Sequence, residues 1–357
     1  MNSKILKSGH IKLYKRENSQ FWQMKLKLPK LKSIRSSTGS KILKEAEKIA
    51  LNYYSSLSKK TKINVGRTKN IFKKIHLVET ADLTKKEIEH ILNESKKYIL
   101  FNKKKIKHMN ILEGRTIFNL FFEDSTRTRT SFEVAAKRLG ADLINVAVKD
   151  SSINKGETLL DTMTTINSMS PDVLIVRHPE EGISKKISET VDASIINAGD
   201  GSHEHPTQAL LDALTIKNKF NNFSKLKIAI CGDILHSRVA RSNIYLMNML
   251  GAEVNVIAPK TLMPTGIEKL GAKAFTDMKK GLDGCDIVMM LRLQNERMQG
   301  SFLPSKREYY EFFGLTPEKL RFANKDALLM HPGPMNRGVE IDTKLADDIN
   351  VSLVKEQ

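Results

Sequence analysis

Apolar positions along this chain recur with two periods, every second residue in some stretches and every third or fourth in others, and the switches between them outline its elements. From Phe72 the two patterns alternate. Thr84 followed by Glu87 forms a capping box, and Ile88, Ile91, Leu92, Ser95 and Tyr98 give one face of the helix behind it. Short apolar runs at 117–122, 143–148, 173–177 and 193–197 predict strands, with helices over 130–139, 157–168 and about 182–190 between them. A helix over 206–219 opens a second set, with strands at 227–231, 253–257, 272–275, 287–291 and 327–330 and helices between them, notably 237–250. This alternation predicts an α/β fold of two doubly wound parallel-sheet domains, whose ligands lie beyond the carboxyl ends of the strands.

The first 68 residues follow another pattern. Segments 10–15, 21–28 and 33–37 read as strands, with Met24, Leu26 and Leu28 on one face. Over 41–57, Leu43, Ala46, Ile49, Ala50, Tyr53 and Tyr54 form one helical stripe. The result is a small α+β module, followed by a polar, basic linker over 59–70. Charge sharpens the division. The chain carries a formal net charge of +19, yet residues 1–70 alone hold 18 Lys and Arg against 3 Glu. The body is therefore nearly balanced, and nucleic acid binding, where charge suggests it, belongs to the appendage. The strand and helix outline, with the Ser37-Thr38-Gly39 turn, resembles the arm-type DNA-binding module at the N-terminus of phage-type tyrosine recombinases, without the recombinase's catalytic part. No apolar run approaches the roughly 20 residues of a membrane span, and the N-terminus has no apolar h-region of a signal peptide. Cys231 and Cys285, the only cysteines, form neither a disulfide framework nor a metal site. They are expected to be reduced core residues of a cytoplasmic protein.

Chemistry gathers at the strand ends. Ser125-Thr126-Arg127-Thr128-Arg129 follows the strand at 117–122 and starts the next helix. Free backbone N–H groups, the positive end of the helix dipole, three hydroxyls and two guanidinium forks there suit a phosphate. Arg177-His178-Pro179 follows the strand at 173–177. In His205-Pro206-Thr207-Gln208 the proline takes the first helical position, so a histidine before the helix and a glutamine in its first turn can converge on one carbonyl or amide. His331-Pro332-Gly333-Pro334 is a rigid turn offering backbone carbonyls, the acceptors that an NH2 group requires. Arg238 follows the strand at 227–231, and Arg292 and Gln294 follow that at 287–291, which suggests an anion pocket between them. Taken singly, these residues have plainer readings: His205 as a hydrogen-bonded loop residue, Arg292 as a surface charge, Lys155 in its polar loop as a solvated lysine. Cys231-Gly232-Asp233 is not a G-x-G-x-x-G fingerprint, so no nucleotide is expected there.

Five motifs in this order, Ser125-Thr126-Arg127-Thr128-Arg129, Lys155-Gly156-Glu157-Thr158, Arg177-His178-Pro179, His205-Pro206-Thr207-Gln208 and His331-Pro332-Gly333-Pro334, resemble the transcarbamoylase family over about residues 70–357, most closely its aspartate-using branch. The resemblance implies transfer of a carbamoyl group from carbamoyl phosphate to the amine of L-aspartate, in de novo pyrimidine biosynthesis, with neither cofactor nor metal. It implies that Ser125, Thr126, Arg127 and Thr128 bind the phosphate, and that Thr128, Arg177 and His205 face the carbonyl oxygen. Gln208 and the carbonyls of Gly333 and Pro334 take the carbamoyl NH2, and Lys155, Arg238, Arg292 and Gln294 take the aspartate carboxylates. Arg127, Thr128, Lys155, Arg177 and His205 are the implied catalytic set. The family pattern further implies a homotrimer in which Ser151 and Lys155 complete the neighbouring site, and it leaves room for a regulatory chain. The implied layout is a basic extension over 1–68, a carbamoyl phosphate domain over 69–205 and an aspartate domain over 206–345. Residues 346–357 are expected to hold only the start of a helix returning to the first domain, beginning near Ser352 and cut short at Gln357. An ornithine-using member remains open, although its cationic substrate calls for an acidic partner and a cysteine where Gly333 stands. So does a DNA-binding protein with an inactive transferase body.

Overall fold

The computed structural model describes residues 3–6, 11–26, 33–62, 72, 75–146, 158–294 and 305–347. The chain divides into two compact units, Met1–Ile71 and Phe72–Gln357. The first is an antiparallel sheet of β1 (Ser3–Leu6), β2 (Ile11–Tyr14), β3 (Gln23–Leu26) and β4 (Ile34–Ser37), in that order, with helix α1 (Leu43–Lys62). Ile11, Leu13, Met24 and Leu26 bury one face of the sheet with Trp22, Ala46 and Ala50. Each large apolar side chain removed from water contributes about 2 kcal/mol, so five of them with two alanines make a small core. β1 departs from expectation. Its Ile5 faces solvent, so its apolar pattern does not mark a strand, and backbone pairing with β2 supplies what the pattern lacks. Leu28 lies outside the described residues.

The second unit holds two parallel sheets. In the first, β5 (Thr116–Phe121), β6 (Asp142–Val146), β7 (Val173–His178) and β8 (Ser194–Asp200) lie in the order β6-β5-β7-β8. Helices α3 (Thr126–Leu139), α4 (Leu159–Ser168) and α5 (Ile183–Ser188) connect them, and α2 (Lys85–Asn102) precedes them. After α6 (Pro206–Phe220), the second sheet has β9 (Lys227–Cys231), β10 (Glu253–Ile257), β11 (Ala272–Phe275), β12 (Ile287–Met290) and β13 (Leu328–Met330), in the order β11-β10-β9-β12-β13. Its helices are α7 (Arg238–Leu250), α8 (Met278–Leu282), α9 (Lys306–Phe313), α10 (Pro317–Leu320) and α11 (Thr343–Asp347). In each sheet the order reverses at the first strand, β5 or β9. Crevices beyond carboxyl ends open at such reversals. The helices that follow β5 and β9 open with the Ser125 cluster and Arg238.

The core of the first sheet sets Phe118, Leu120, Leu174, Val176 and Ile195 against Met163, Ile166 and Ile187. The capping box at Thr84 is present, with the Glu87 backbone N–H donating to Thr84 Oγ1 and the Thr84 N–H donating to Glu87 Oε2. Helix α2 precedes the first sheet in sequence, yet its Ile88 and Leu92 pack with Ala213 and Ile216 of α6 and Ile228 and Ile230 of β9. One continuous core thus runs from α2 through α6 to the second sheet. Helix α3 starts at Thr126, not at 130, so the Ser-Thr-Arg cluster is itself the first turn. The helix expected from 157 starts at Leu159, where Thr158 caps it by accepting from the Asp161 N–H. The helix expected near Ser352 lies outside the described residues.

Candidate active site

Ser125 is extended and stands at the cap of α3, and its hydroxyl takes no N–H from the helix. The first intrahelical bond runs from the Arg129 N–H to the Ser125 carbonyl. The amides of residues 126–128 therefore have no helical partner, and they point out of the helix end with the dipole. Arg127 crosses to the turn after β13, where its Nη1 donates to the Pro332 carbonyl at 3.5 Å. The same nitrogen is 2.1 Å from where a Cβ at Gly333 would stand, at φ +61°. Any side chain there would displace the guanidinium, which gives Gly333 a steric reason to be glycine. The Pro332 carbonyl thus ties the start of α3 to the turn whose next two carbonyls, of Gly333 and Pro334, are those expected to meet the carbamoyl NH2. The His331-Pro332-Gly333-Pro334 turn is held from inside: Gly333 N–H donates to His331 Nδ1 at 2.8 Å, while His331 Nε2 lies 3.3 Å from Glu340 Oε1.

Arg177, at the end of β7, places Nη1 3.5 Å from Thr128 Oγ1 and 3.4 Å from the Ala198 carbonyl. Its Nε lies 3.1 Å from Glu123 Oε2. The same carboxylate oxygen accepts from Arg238 Nη2 at 2.7 Å, and Arg238 Nη1 donates to the Gly201 carbonyl at 3.1 Å. Glu123 thus clamps two arginines, one from each sheet. Arg238 is 5% exposed. A buried guanidinium requires this pairing, because an unpaired charge there is strongly destabilising. Gly199 makes room for it: a Cβ at 199, where φ is +115°, would lie 2.9 Å from Arg238 Cζ. Arg127, next to Thr128 at the start of α3, adds a third guanidinium to this end of the sheet, a gathering of cations that suits an anionic ligand.

His205 precedes α6, with Pro206 at the first helical position. Its ring is buried. Burial first, then the charges of Arg238 and Arg177, holds its pKa well below the ordinary value, so the imidazole is neutral at physiological pH. Nδ1 lies 3.3 Å from Thr207 Oγ1. Gln208 Nε2 donates to Asp212 Oδ1 at 2.9 Å, which orients its amide. Thr128, Arg177, His205 and Arg238 therefore form one electrostatic cluster. Arg292 and Gln294 follow β12, which pairs directly with β9. Arg292 Nη2 donates to Gln294 Oε1 at 3.3 Å, and the Gln294 N–H donates to Asp233 Oδ2 at 3.1 Å. Asp233 lies just beyond β9, so this pair is fixed to the loop that leads to Arg238. Ser151 and Lys155 lie outside the described residues. Cys231 and Cys285 are free and buried. Burial pushes both thiols up, Cys285 to about 11, so neither is a nucleophile at neutral pH. Among the described residues, no group of three or more metal-ligating side chains converges.

Sequence reading passed over Glu123, Asp233 and Glu204. Glu123 lies just ahead of the cluster that the sequence singles out, and its acidic character before three hydroxyl residues and two arginines was the available signal. The roles of Asp233 and Glu204 come from contacts between distant segments and leave no local trace.

Two family models cover the second unit. Residues 75–218 match the aspartate/ornithine carbamoyltransferase carbamoyl-P binding domain, and residues 224–357 match the Asp/Orn binding domain of the same family. The aspartate carbamoyltransferase catalytic subunit of Pelagibacter ubique is 62% identical over 282 residues, 79% of this chain and 90% of that protein. Its counterpart from Parvibaculum lavamentivorans is 57% identical, covering 80% of this chain and 88% of that one. Among solved structures, aspartate transcarbamoylase from Trypanosoma cruzi with N-(phosphonacetyl)-L-aspartic acid has a TM-score of 0.69 at 31% identity, covering 79% of this chain and 90% of that one. Ornithine carbamoyltransferase from Thermus thermophilus, at 20% identity and a TM-score of 0.70 over 80% of this chain and 94% of that one, shares the fold. The expected likeness of residues 1–68 to a recombinase module gains no support from these comparisons.

Proposed function

The chain belongs to the aspartate/ornithine carbamoyltransferase family, and on that premise we propose that it carbamoylates L-aspartate at the expense of carbamoyl phosphate, as a step of pyrimidine biosynthesis. The observation that carries this reading is the convergence of the α3 start, Arg177, His205 and the Pro332 turn on one cation-rich crevice. In this reading Ser125, Thr126, Arg127 and Thr128 hold the phosphate. Thr128, Arg177 and neutral His205 donate to the carbonyl oxygen, where negative charge grows as the carbon becomes tetrahedral. Gln208 and the carbonyls of Gly333 and Pro334 take the carbamoyl NH2. The aspartate amine attacks the carbonyl carbon, the bond from that carbon to the phosphate oxygen breaks, and phosphate departs with a proton from the amine. Orientation and electrostatics supply the rate without a covalent enzyme intermediate. Arg238, Arg292 and Gln294 receive the two carboxylates of aspartate. Arginine at the ends of β9 and β12 suits this dianion and disfavours the cationic side chain of ornithine. Phosphate release from carbamoyl phosphate, measured with aspartate and then with ornithine, tests the reading. Turnover with ornithine and none with aspartate would overturn it.

The apolar surface beside α3 favours an oligomer. A groove of about 790 Å³ runs along Tyr98, Phe101, Val134, Ala135 and Leu139 and reaches Thr126 and Arg127. A second copy seated there adjoins the phosphate turn directly. A homotrimer in which Ser151 and Lys155 enter the neighbouring site fits this placement, and a regulatory chain is compatible with it. The free, buried cysteines suit the reducing cytoplasm, and no helix among the described residues is long and apolar enough to cross a membrane.

The N-terminal unit supports a second reading, nucleic acid binding. Lys12 pairs in register with Lys25, and Lys25 with Arg35, so three cations stand side by side across β2, β3 and β4. They lie on the face away from Leu13 and Met24. Like charges directly opposite each other repel, and a phosphate backbone would relieve that repulsion.

A further inference from the structure

Glu204 links three segments of the second unit. The Thr80 hydroxyl, in the turn before α2, lies 2.9 and 2.8 Å from the two Glu204 carboxylate oxygens. Ser242 Oγ, on α7, donates to Oε2 of the same carboxylate, and that hydroxyl accepts the His205 backbone N–H at 2.8 Å. The Glu204 backbone is itself pinned, with its N–H on Asp200 Oδ1 at 3.0 Å and its carbonyl receiving the Asp200 N–H at 3.1 Å. The side chain is 2% exposed.

We propose that Glu204 is a positioning residue for the transfer reaction: by accepting the hydrogen bond of the Ser242 hydroxyl it turns that oxygen's lone pairs toward the His205 N–H, and so sets the position of the His205 ring. A serine hydroxyl has one proton to give. When that proton is engaged in the hydrogen bond to Glu204, the oxygen stays a pure acceptor toward His205, and the chain ahead of α6 is tied to α7 and to the Thr80 turn at once. Such a buried network fixes one geometry only while every member is satisfied. Glutamine at 204 would present an N–H to one of the two hydroxyls and leave its proton without a place. The consequence falls on a group that meets the carbonyl oxygen only as charge develops there, so it appears in turnover more than in substrate affinity. The inference rests on the role given above to His205.

Two readouts on the full chain test it. In Glu204→Gln and Ser242→Ala, kcat for carbamoyl transfer falls at least tenfold while KM for carbamoyl phosphate changes less than threefold. A core variant with the same loss of Tm, Ile187→Val, keeps its kcat. Independently of activity, hydrogen exchange at the His205 amide accelerates at least tenfold in both variants relative to the Ile187→Val control. Unchanged exchange at His205 overturns the proposal whatever the activity, as does a wild-type kcat in either variant. Should the wild-type protein fail to carbamoylate aspartate, the functional reading falls, while the exchange result still decides whether Glu204 positions His205. If Glu204→Gln does not fold, Glu204→Asp, which keeps the carboxylate but withdraws it from Ser242, carries both measurements.

Discussion

Arg127 is exposed, lies in the first turn of α3 and reaches the turn after β13, so its removal takes a cation from the crevice and leaves the core untouched. We expect Arg127→Ala to lower turnover by several orders of magnitude, because the phosphate it faces gains charge as it leaves. Steady-state kinetics beside a thermal melt checks this, with Tm expected to move by less than 2 °C or so. His205 and His203 stand two residues apart and should titrate in opposite senses. The hydrogen bond to Asp200 raises the pKa of His203, whereas burial and two arginines depress that of His205. Ring-proton NMR should show His203 titrating above its ordinary value and His205 unchanged from pH 6 to 8. The stability contributed by neutral His205 follows in sign. Its native pKa lies below the unfolded value of 6.5, so that stability is complete above 6.5 and is lost as pH falls below it. The residues of this site were legible in sequence to the extent that motifs mark them. Arg127, Arg177, His205 and Arg238 stand in motifs; the carboxylates that orient them do not, because a clamp such as Glu123 on two arginines exists only once β7, the loop after β5 and α7 are brought together.

At the scale of elements, strands β9 and β10 fall where short apolar runs predict them, since strands buried on both faces need no strict alternation. Boundaries shifted where polar residues took helical geometry. Helix α3 begins four residues early because its first turn is Thr-Arg-Thr-Arg, which carries no apolar signal yet satisfies its later amides inside the helix. β1 was invisible because one of its two apolar side chains faces water. The turn after β9 shows how an element end aims a site. Gly232 has φ +131°, and a Cβ there would lie 2.6 Å from the Leu291 carbonyl. Arg292 is the next residue. Gly232→Ala should therefore cost about 1–3 kcal/mol through backbone strain, lower Tm by roughly 5 °C and raise KM for aspartate more than KM for carbamoyl phosphate. Calorimetry and two-substrate kinetics measure both. Equal changes in the two KM values would show that the turn does not position Arg292.

For the whole molecule, the basic surplus and the proposed site lie in different units. A protein lacking residues 1–68 should keep its carbamoyl transfer, and the full chain should bind duplex DNA with an affinity that falls steeply with salt, by a slope of about −0.9 for each phosphate neutralised. Loss of transfer in a folded deletion, or DNA binding insensitive to salt, would contradict this separation. The oligomer carries the stronger test. The groove beside α3 joins an apolar surface to Arg127, so a neighbouring copy seated there would bring its own chain to the phosphate turn. Lys155 is the residue proposed to cross. Lysine suits the task, as a mobile point charge able to meet both phosphate and carboxylate. If the site is shared, a Lys155→Ala oligomer and an Arg127→Ala oligomer are each nearly inactive, since every site in either lacks one of the two cations. When the two are dissociated mildly and mixed at equal ratio, some interfaces receive wild-type Arg127 from one copy and wild-type Lys155 from the other. Those sites are complete. Turnover should then return to a substantial fraction of wild type, rising with the extent of exchange and reaching its maximum near equal mixing. Subunit exchange followed by differently labelled chains, with no recovery of activity, would show that each copy builds its site from its own residues alone.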